Sequence, residues 1–136
     1  MGRQSIWRTR VRFGETDAAG IVFYPTYFIW FDTGTQGLLR IGEAPGRDAR
    51  GAPYFPLPLV ECGATFLAPL QFDEEIEIVS TVAALGESSL RVEHEVRTLA
   101  GKTCARGFEQ RVFVTLAAGR PAKAPIPAEL RAQLEG

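Results

Sequence analysis

The chain has 136 residues, a length that suits one domain spanning residues 1–136. With 46% hydrophobic and 23% charged residues it can build an ordinary globular core, which argues against a disordered chain. A formal net charge of -1 excludes a whole-protein basic field for nucleic acid or an anionic membrane, but leaves room for a local basic patch facing a small anion.

The opening MGRQSIWRTR has no apolar stretch of the kind a secretory leader needs. Residues 6–13, IWRTRVRF, predict a strand with Ile6, Arg8, Arg10 and Arg12 on one face. Trp7, Thr9, Val11 and Phe13 fall on the other. GETDAAG, residues 14–20, is small and polar and predicts a loop. Residues 21–42, IVFYPTYFIWFDTGTQGLLRIG, predict a helix with Pro25 in its first turn, where a missing N–H costs nothing, and Gly42 as its stop. Tyr27, Phe28, Trp30, Phe31, Leu38, Leu39 and Ile41 cover more than one stripe, which predicts burial on several sides. Gly34 and Gly37 each cost such a helix about 1 kcal/mol against alanine, so close packing is the expected compensation.

Residues 43–56, EAPGRDARGAPYFP, mix Pro, Gly and charge and predict a loop or flap. Strands are predicted over residues 57–67, 75–84, 89–99 and 103–116. In the second, Ile76, Ile78 and Val82 alternate with Glu77 and Thr81; in the third, Leu90, Val92, His94 and Val96 alternate with Arg91, Glu93, Glu95 and Arg97. LGESS and LAGK are the hairpin turns between them. The 117–127 stretch is rich in Ala, Gly and Pro, and residues 128–135 predict a short amphipathic helix.

A strand, one long apolar helix and four further strands describe an α+β protein, an antiparallel sheet wrapped around a central helix. One sheet around one helix leaves an edge and a face to protect, so self-association is expected. No segment approaches the roughly 20 apolar residues of a membrane helix, and no membrane association is expected. A cytoplasmic chain is expected, with Cys62 and Cys104 as small core residues rather than a disulfide. One His and two distant Cys give no metal-ligand spacing, so no metal is expected.

The informative stretch is FGETDAAGIVFYPTYFIWFD, residues 13–32. Asp17, Gly20-Ile21-Val22, the aromatic Phe23, Tyr24-Pro25 and Asp32 together resemble the 4-hydroxybenzoyl-CoA thioesterase branch of the hotdog superfamily. FPLPLVECGATF, SSLRVEH and ARGFEQRVF look like the later strands of the same family. The resemblance implies the hotdog fold, with a five-stranded antiparallel sheet around one long helix. It also implies an acyl-CoA substrate, no separate cofactor (coenzyme A being part of the substrate), and a homotetramer of two hotdog dimers. Asp17 is implied as the catalytic carboxylate and the Tyr24 N–H as the group that polarises the thioester carbonyl.

The chemistry fits these residue types. Attack at a thioester carbonyl carbon puts charge on the oxygen, and N–H groups at a helix N-terminus stabilise it. A carboxylate beside that carbon can attack directly, giving a mixed anhydride, or activate a water. By position alone Asp17 reads as a helix N-cap, and within the motif as catalytic. Glu15 reads as a solvated loop charge. Asp32, amid aromatics, needs a partner if buried; the resemblance associates the matching acid with the ring end of the acyl group. Trp30 and Phe31 read as core, with Trp30 also a candidate substrate contact beside Gly20 and Glu61. His94 faces the core and reads as a satisfied core histidine, so a Ser-His or Cys-His triad finds no support.

Members of the branch that this chain resembles carry a basic run in the turn before the third strand, where this chain has Leu85-Gly86-Glu87-Ser88-Ser89. The coenzyme A phosphates are therefore expected on Ser88 and Ser89 with Arg91, Arg106, Arg111 or Arg120. An aromatic acyl group, benzoyl or hydroxybenzoyl, is the expected substrate. The alternatives are a broad short-chain acyl-CoA thioesterase, whose branch commonly shows Tyr-His where this chain has Tyr24-Pro25, and a non-catalytic acyl-CoA-binding module.

Overall fold

The computed structural model describes residues 2–41, 44–45 and 56–136. Its elements are β1 (Gln4–Arg10), α1 (Pro25–Leu38), β2 (Arg40–Ile41), β3 (Ala44–Pro45), β4 (Leu59–Phe66), β5 (Glu75–Leu85), β6 (Ser89–Thr98), β7 (Thr103–Val112), β8 (Val114–Ala117), β9 (Arg120–Lys123) and α2 (Ala128–Glu135). Five strands form one antiparallel sheet in the order β1-β5-β6-β7-β4. This is the hotdog architecture, with α1 packed on one face of that sheet. The expected flap over residues 43–56 lies almost wholly outside the described residues, and so does Gly42; the helix does not run on to that stop, because it ends at Leu38 and Arg40–Ile41 are already a strand.

Residues 21–24 do not join the helix. The Val22 N–H donates to the Leu70 carbonyl, and Ile21 bridges Gln71, so both backbones are already paired. Pro25, with no N–H to lose, opens the helix instead. Phe13 also departs from its strand: it sits in a single 3-10 turn, residues 13–15, and meets Phe72 edge-on at 5.8 Å. The last sheet strand stops at Val112, and Val114–Ala117 pairs with Arg120–Lys123 as a separate hairpin. Pro121 hid that hairpin, because proline argues against a strand interior and is tolerated on a two-stranded edge.

The side chains that α1 buries are Thr26, Tyr27, Trp30, Phe31, Gly34, Thr35 and Leu38. That spacing is a single stripe. Its own chain therefore covers the helix on one side only, and Ile29 on the far side is 64% exposed. Within one copy the burial expected on several sides is met on one face, because a five-stranded sheet reaches one face of a helix. Close approach is achieved at Gly34, where a Cβ would run into Ser80 Oγ.

The core has two apolar clusters. Val11, Val22, Tyr27, Trp30, Phe31, Ile76, Ile78 and Val96 belong to one, and Leu38, Val82, Leu90, Val92, Phe113, Leu130 and Leu134 to the other. A polar layer lies between them. Along each inward-facing row it takes one place: Thr35 after Phe31, Ser80 between Ile78 and Val82, His94 between Val92 and Val96. Glu109 and Arg111 take the corresponding places on β7, and all five side chains are buried.

Candidate active site

Asp17 stands at the tip of a tight loop tied at its base. Thr16 bridges Val22, the Asp17 N–H donates to the Ile21 carbonyl at 2.9 Å, and the Gly20 N–H donates to the Asp17 carbonyl at 2.9 Å. Gly20 has a φ of +81°, which a side chain would strain, so its role is to let this turn close. The Ala19 N–H donates to Asp17 Oδ1 at 2.8 Å. That leaves the second carboxylate oxygen without a partner among the described residues. Asp17 is not the cap of α1, whose N-cap is Tyr24.

Glu15 fixes the loop to the helix. Its Oε2 accepts the Trp30 indole N–H at 3.0 Å, its Oε1 accepts the Arg12 N–H at 2.7 Å, and its carbonyl accepts the Phe23 N–H at 2.8 Å. The solvated reading of Glu15 is thus corrected: it is a half-buried brace. Trp30 is corrected with it, since the indole is buried in the core with its N–H spent on Glu15.

At the N-terminus of α1 the Thr26 N–H bonds the Phe23 carbonyl and the Tyr27 N–H bonds the Tyr24 carbonyl. Pro25 has no N–H. The Tyr24 N–H is the donor left without a partner there among the described residues, at the positive end of the helix dipole. Asp17 and Tyr24 line the same groove, of about 350 Å³, with Ile21, Val22, Tyr27, Phe66, Leu67, Ala68 and Pro69. A carboxylate and a helix-end N–H on one apolar groove suit attack at a carbonyl carbon with stabilisation of the oxygen. The wall from Phe66 to Pro69 runs out from the end of β4, and nothing in the residue pattern marks it as facing Asp17. Phe66 packs on Tyr27 at 5.0 Å and on Tyr24 at 6.5 Å.

The other sequence candidates lie elsewhere. Asp32 is on the outer side of α1, its side chain 57% exposed, and accepts Arg111 Nη2 at 2.8 Å. Glu61 is exposed on the edge strand β4, away from the Asp17 groove. Ser88 and Ser89 line a second groove, also about 350 Å³, with Glu87, Lys123, Ala124 and Pro125. Arg91 is not in it. It lies over the Phe108 ring at 4.3 Å and pairs with Glu93 at 3.3 Å, lining a third groove with Thr65, Arg106 and Gly107. The cation beside the two serines is Lys123, missed because the β8–β9 hairpin was missed. Arg111 is unsuited to phosphate, being buried and engaged on every side.

That engagement is a buried chain of hydrogen bonds. Arg111 donates to Glu109 Oε2 at 2.9 Å, to the Leu57 carbonyl at 2.9 Å and to Asp32 at 2.8 Å. Glu109 Oε1 also takes the Thr35 hydroxyl and lies 3.2 Å from His94 Nε2. Ser80 Oγ lies 2.8 Å from His94 Nδ1, and the imidazole stacks on Phe31 at 4.7 Å. Burial by itself pushes the Glu109 carboxyl up, but the bonds from His94, Arg111 and Thr35 outweigh it and hold it at about 2. With Glu109 ionised, His94 Nε2 is the side of the ring that donates to it, and Nδ1 shares the second bond with the Ser80 hydroxyl. Ser80, His94 and Glu109 thus meet in the order of a nucleophile, a base and an acid. Ser80 is 0% exposed beneath Gly34, so no substrate reaches it and the set is structural. His94 is the satisfied core histidine its strand alternation predicts.

Among the described residues, no group of three or more His, Cys, Asp or Glu is placed to hold a metal ion, and no helix is long and apolar enough to cross a membrane.

A sequence profile described as the thioesterase-like superfamily matches residues 11–134. The chain is 29% identical to a 4-hydroxybenzoyl-CoA thioesterase from Pseudomonas sp. (strain CBS-3), covering 95% of this chain and 96% of that one. The solved structure of that enzyme aligns with a TM-score of 0.82 over 96% of this chain and 99% of that chain. A 1,4-dihydroxy-2-naphthoyl-CoA hydrolase from Synechococcus sp. (strain CC9311) is 32% identical, covering 88% of this chain and 83% of the relative. The solved structure of a gentisyl-coenzyme A thioesterase is 32% identical, with a TM-score of 0.76, covering 95% of this chain and 98% of that one.

Proposed function

The chain belongs to the thioesterase-like superfamily, and from that membership we propose that it hydrolyses the thioester of an aromatic acyl-CoA, with Asp17 as the catalytic carboxylate. It is a thioester hydrolase, as its relatives are. The observation that carries the finer reading is the shared groove of Asp17 and the free Tyr24 N–H.

In this reading the thioester carbonyl oxygen points at the Tyr24 N–H and the carbonyl carbon faces the unpartnered oxygen of Asp17. Two routes fit. Asp17 attacks, coenzyme A leaves as thiolate, and water hydrolyses the mixed anhydride; or Asp17 takes a proton from a water that attacks. Either way the N–H carries the developing charge. The rings of Tyr24, Tyr27 and Phe66 around the groove suit a flat acyl group, and benzoyl or hydroxybenzoyl is the size we assign. The nucleotide end of coenzyme A is assigned to the surface bearing Ser88, Ser89 and Lys123.

The same proposal includes a cytoplasmic homodimer, assembled further into a tetramer. The edge strand β4 exposes Leu59, Val60 and Phe66, and α1 exposes Ile29 and Tyr24. An apolar edge strand and an uncovered helix face suit a second copy of the chain.

The test is release of free thiol from a panel of acyl-CoAs running from acetyl to palmitoyl, plus benzoyl, hydroxybenzoyl and phenylacetyl. We expect the aryl thioesters to turn over fastest, and Asp17→Asn to lose on the order of a hundredfold or more in kcat while staying folded. Equal rates across the panel defeat the aryl assignment. Full activity in folded Asp17→Asn defeats the role of Asp17.

A further inference from the structure

Tyr27 is a buried polar side chain of the Asp17 groove that this chemistry leaves unused. It occupies the first turn of α1, is 4% exposed, and is held between Trp30 at 5.2 Å and Phe66 at 5.0 Å. Trp30 offers only a donor, already given to Glu15, and Phe66 offers nothing to a hydroxyl. No described residue hydrogen-bonds the Tyr27 oxygen. Nor is that oxygen sealed in, because Gln133 Nε2 is the one side-chain N or O atom among the described residues that is fully enclosed without a partner. The Tyr27 side chain lines the groove, and its hydroxyl is neither partnered nor fully enclosed.

Around it the wall is apolar: Ile21, Val22, Phe66, Leu67, Ala68 and Pro69. Asp17 and the Tyr24 N–H serve the thioester and the Tyr24 ring is largely exposed, so Tyr27 is the buried directional group left for whatever enters beyond them. A buried hydroxyl without a partner is unfavourable, and a ligand oxygen relieves it. Pockets of this kind take orientation from a few such groups set in apolar walls.

We propose that the Tyr27 hydroxyl is a specificity determinant of this groove, hydrogen-bonding an oxygen substituent on the aromatic acyl group. This rests on the aryl thioesterase reading above. The tyrosine acts as a neutral donor at any working pH, since burial first, and then the Cys104 and Glu74 charges, push its hydroxyl up to about 12. A hydroxyaryl thioester gains a bond in the groove that its unsubstituted counterpart lacks.

The experiment compares the full-length wild type with Tyr27→Phe on benzoyl-CoA and on 2-, 3- and 4-hydroxybenzoyl-CoA, with Tm measured alongside. We expect Tyr27→Phe to lose about tenfold or more in kcat/KM on the hydroxylated substrate the wild type prefers. It should keep benzoyl-CoA within about twofold, so that the preference collapses. Its Tm should stay equal or rise, because no protein bond is lost. An equal loss on all substrates, as for a group that positions the attacking water, overturns the proposal. So does an unchanged preference, or a lowered Tm with no change in discrimination. A wild type inactive on every aryl-CoA removes the aryl reading and this inference with it. An active wild type whose preference survives Tyr27→Phe removes this inference alone.

Discussion

Glu109→Gln takes one negative charge out of the polar layer between the two apolar clusters while keeping its shape. Three side chains aim four donors at that carboxylate: the Thr35 hydroxyl, His94 Nε2 at 3.2 Å, and Arg111 Nε at 3.3 Å and Nη2 at 2.9 Å. The folded carboxyl sits at about 2 against an ordinary 4.5. At about 1.4 kcal/mol per pH unit, that gap is worth about 3 kcal/mol of stability at neutral pH. The glutamine amide adds a donor where the site supplies only donors, so about 3 kcal/mol is the expected loss. Against a domain stability of roughly 5–15 kcal/mol, this is large. The sign of the pH dependence follows from the lowered value. The contribution is complete above about 4.5 and is lost as pH falls through the interval down to about 2. Urea unfolding of wild type and variant at one protein concentration, from pH 7 to pH 3, is the assay. The difference should be constant above about pH 5 and fall to about half or less by pH 3. A difference under about 1 kcal/mol at pH 7, or one that persists undiminished at pH 3, refutes the reasoning.

Tyr24→Ala removes an exposed ring but keeps the backbone N–H, so its kcat should stay within about tenfold of wild type, far above that of Asp17→Asn. A loss as deep as that of Asp17→Asn would move the role to the phenol. Gly107→Ala places a Cβ 2.6 Å from Phe31 Cζ and 2.8 Å from the Gly63 carbonyl, and Phe31 is already stacked on His94. A destabilisation of about 1–3 kcal/mol is expected by urea unfolding, with altered near-UV dichroism. A neutral result would mean that the sheet yields there. Ile29→Asp with Val60→Asp, both on exposed apolar positions, should convert the wild-type oligomer to a folded monomer by light scattering. A wild type that is itself monomeric removes the assembly proposal.

Several parts of this protein were legible in the residue string for physical reasons. The period-2 alternation of Leu90, Val92, His94 and Val96 places His94 inside, because successive strand side chains point to opposite faces. The tail helix matches its expected range, residues 128–135, with Leu130 and Leu134 buried one turn apart. Gly34 and Gly37 read as close-packing positions, and Ser80 and Ser5 now supply the neighbours. Glu109 and Arg111 share an alternating inward row with Ala105 and Phe113, so the signal for the buried layer was present. Two charges on an inward face look like a surface pattern until their partners are known.

By itself the sequence determined the five main strands, the body of α1 and the tail helix, together with the loop that carries Asp17, because these depend on neighbours a few residues apart. Only the tertiary structure decided what Asp17 faces. The groove is closed by Phe66 to Pro69, the brace is Glu15 on Trp30, and Arg111 on β7 holds Asp32 on α1. Such contacts join residues up to 79 positions apart, as for Arg111 and Asp32, and are set by strand order and register, which no local pattern encodes.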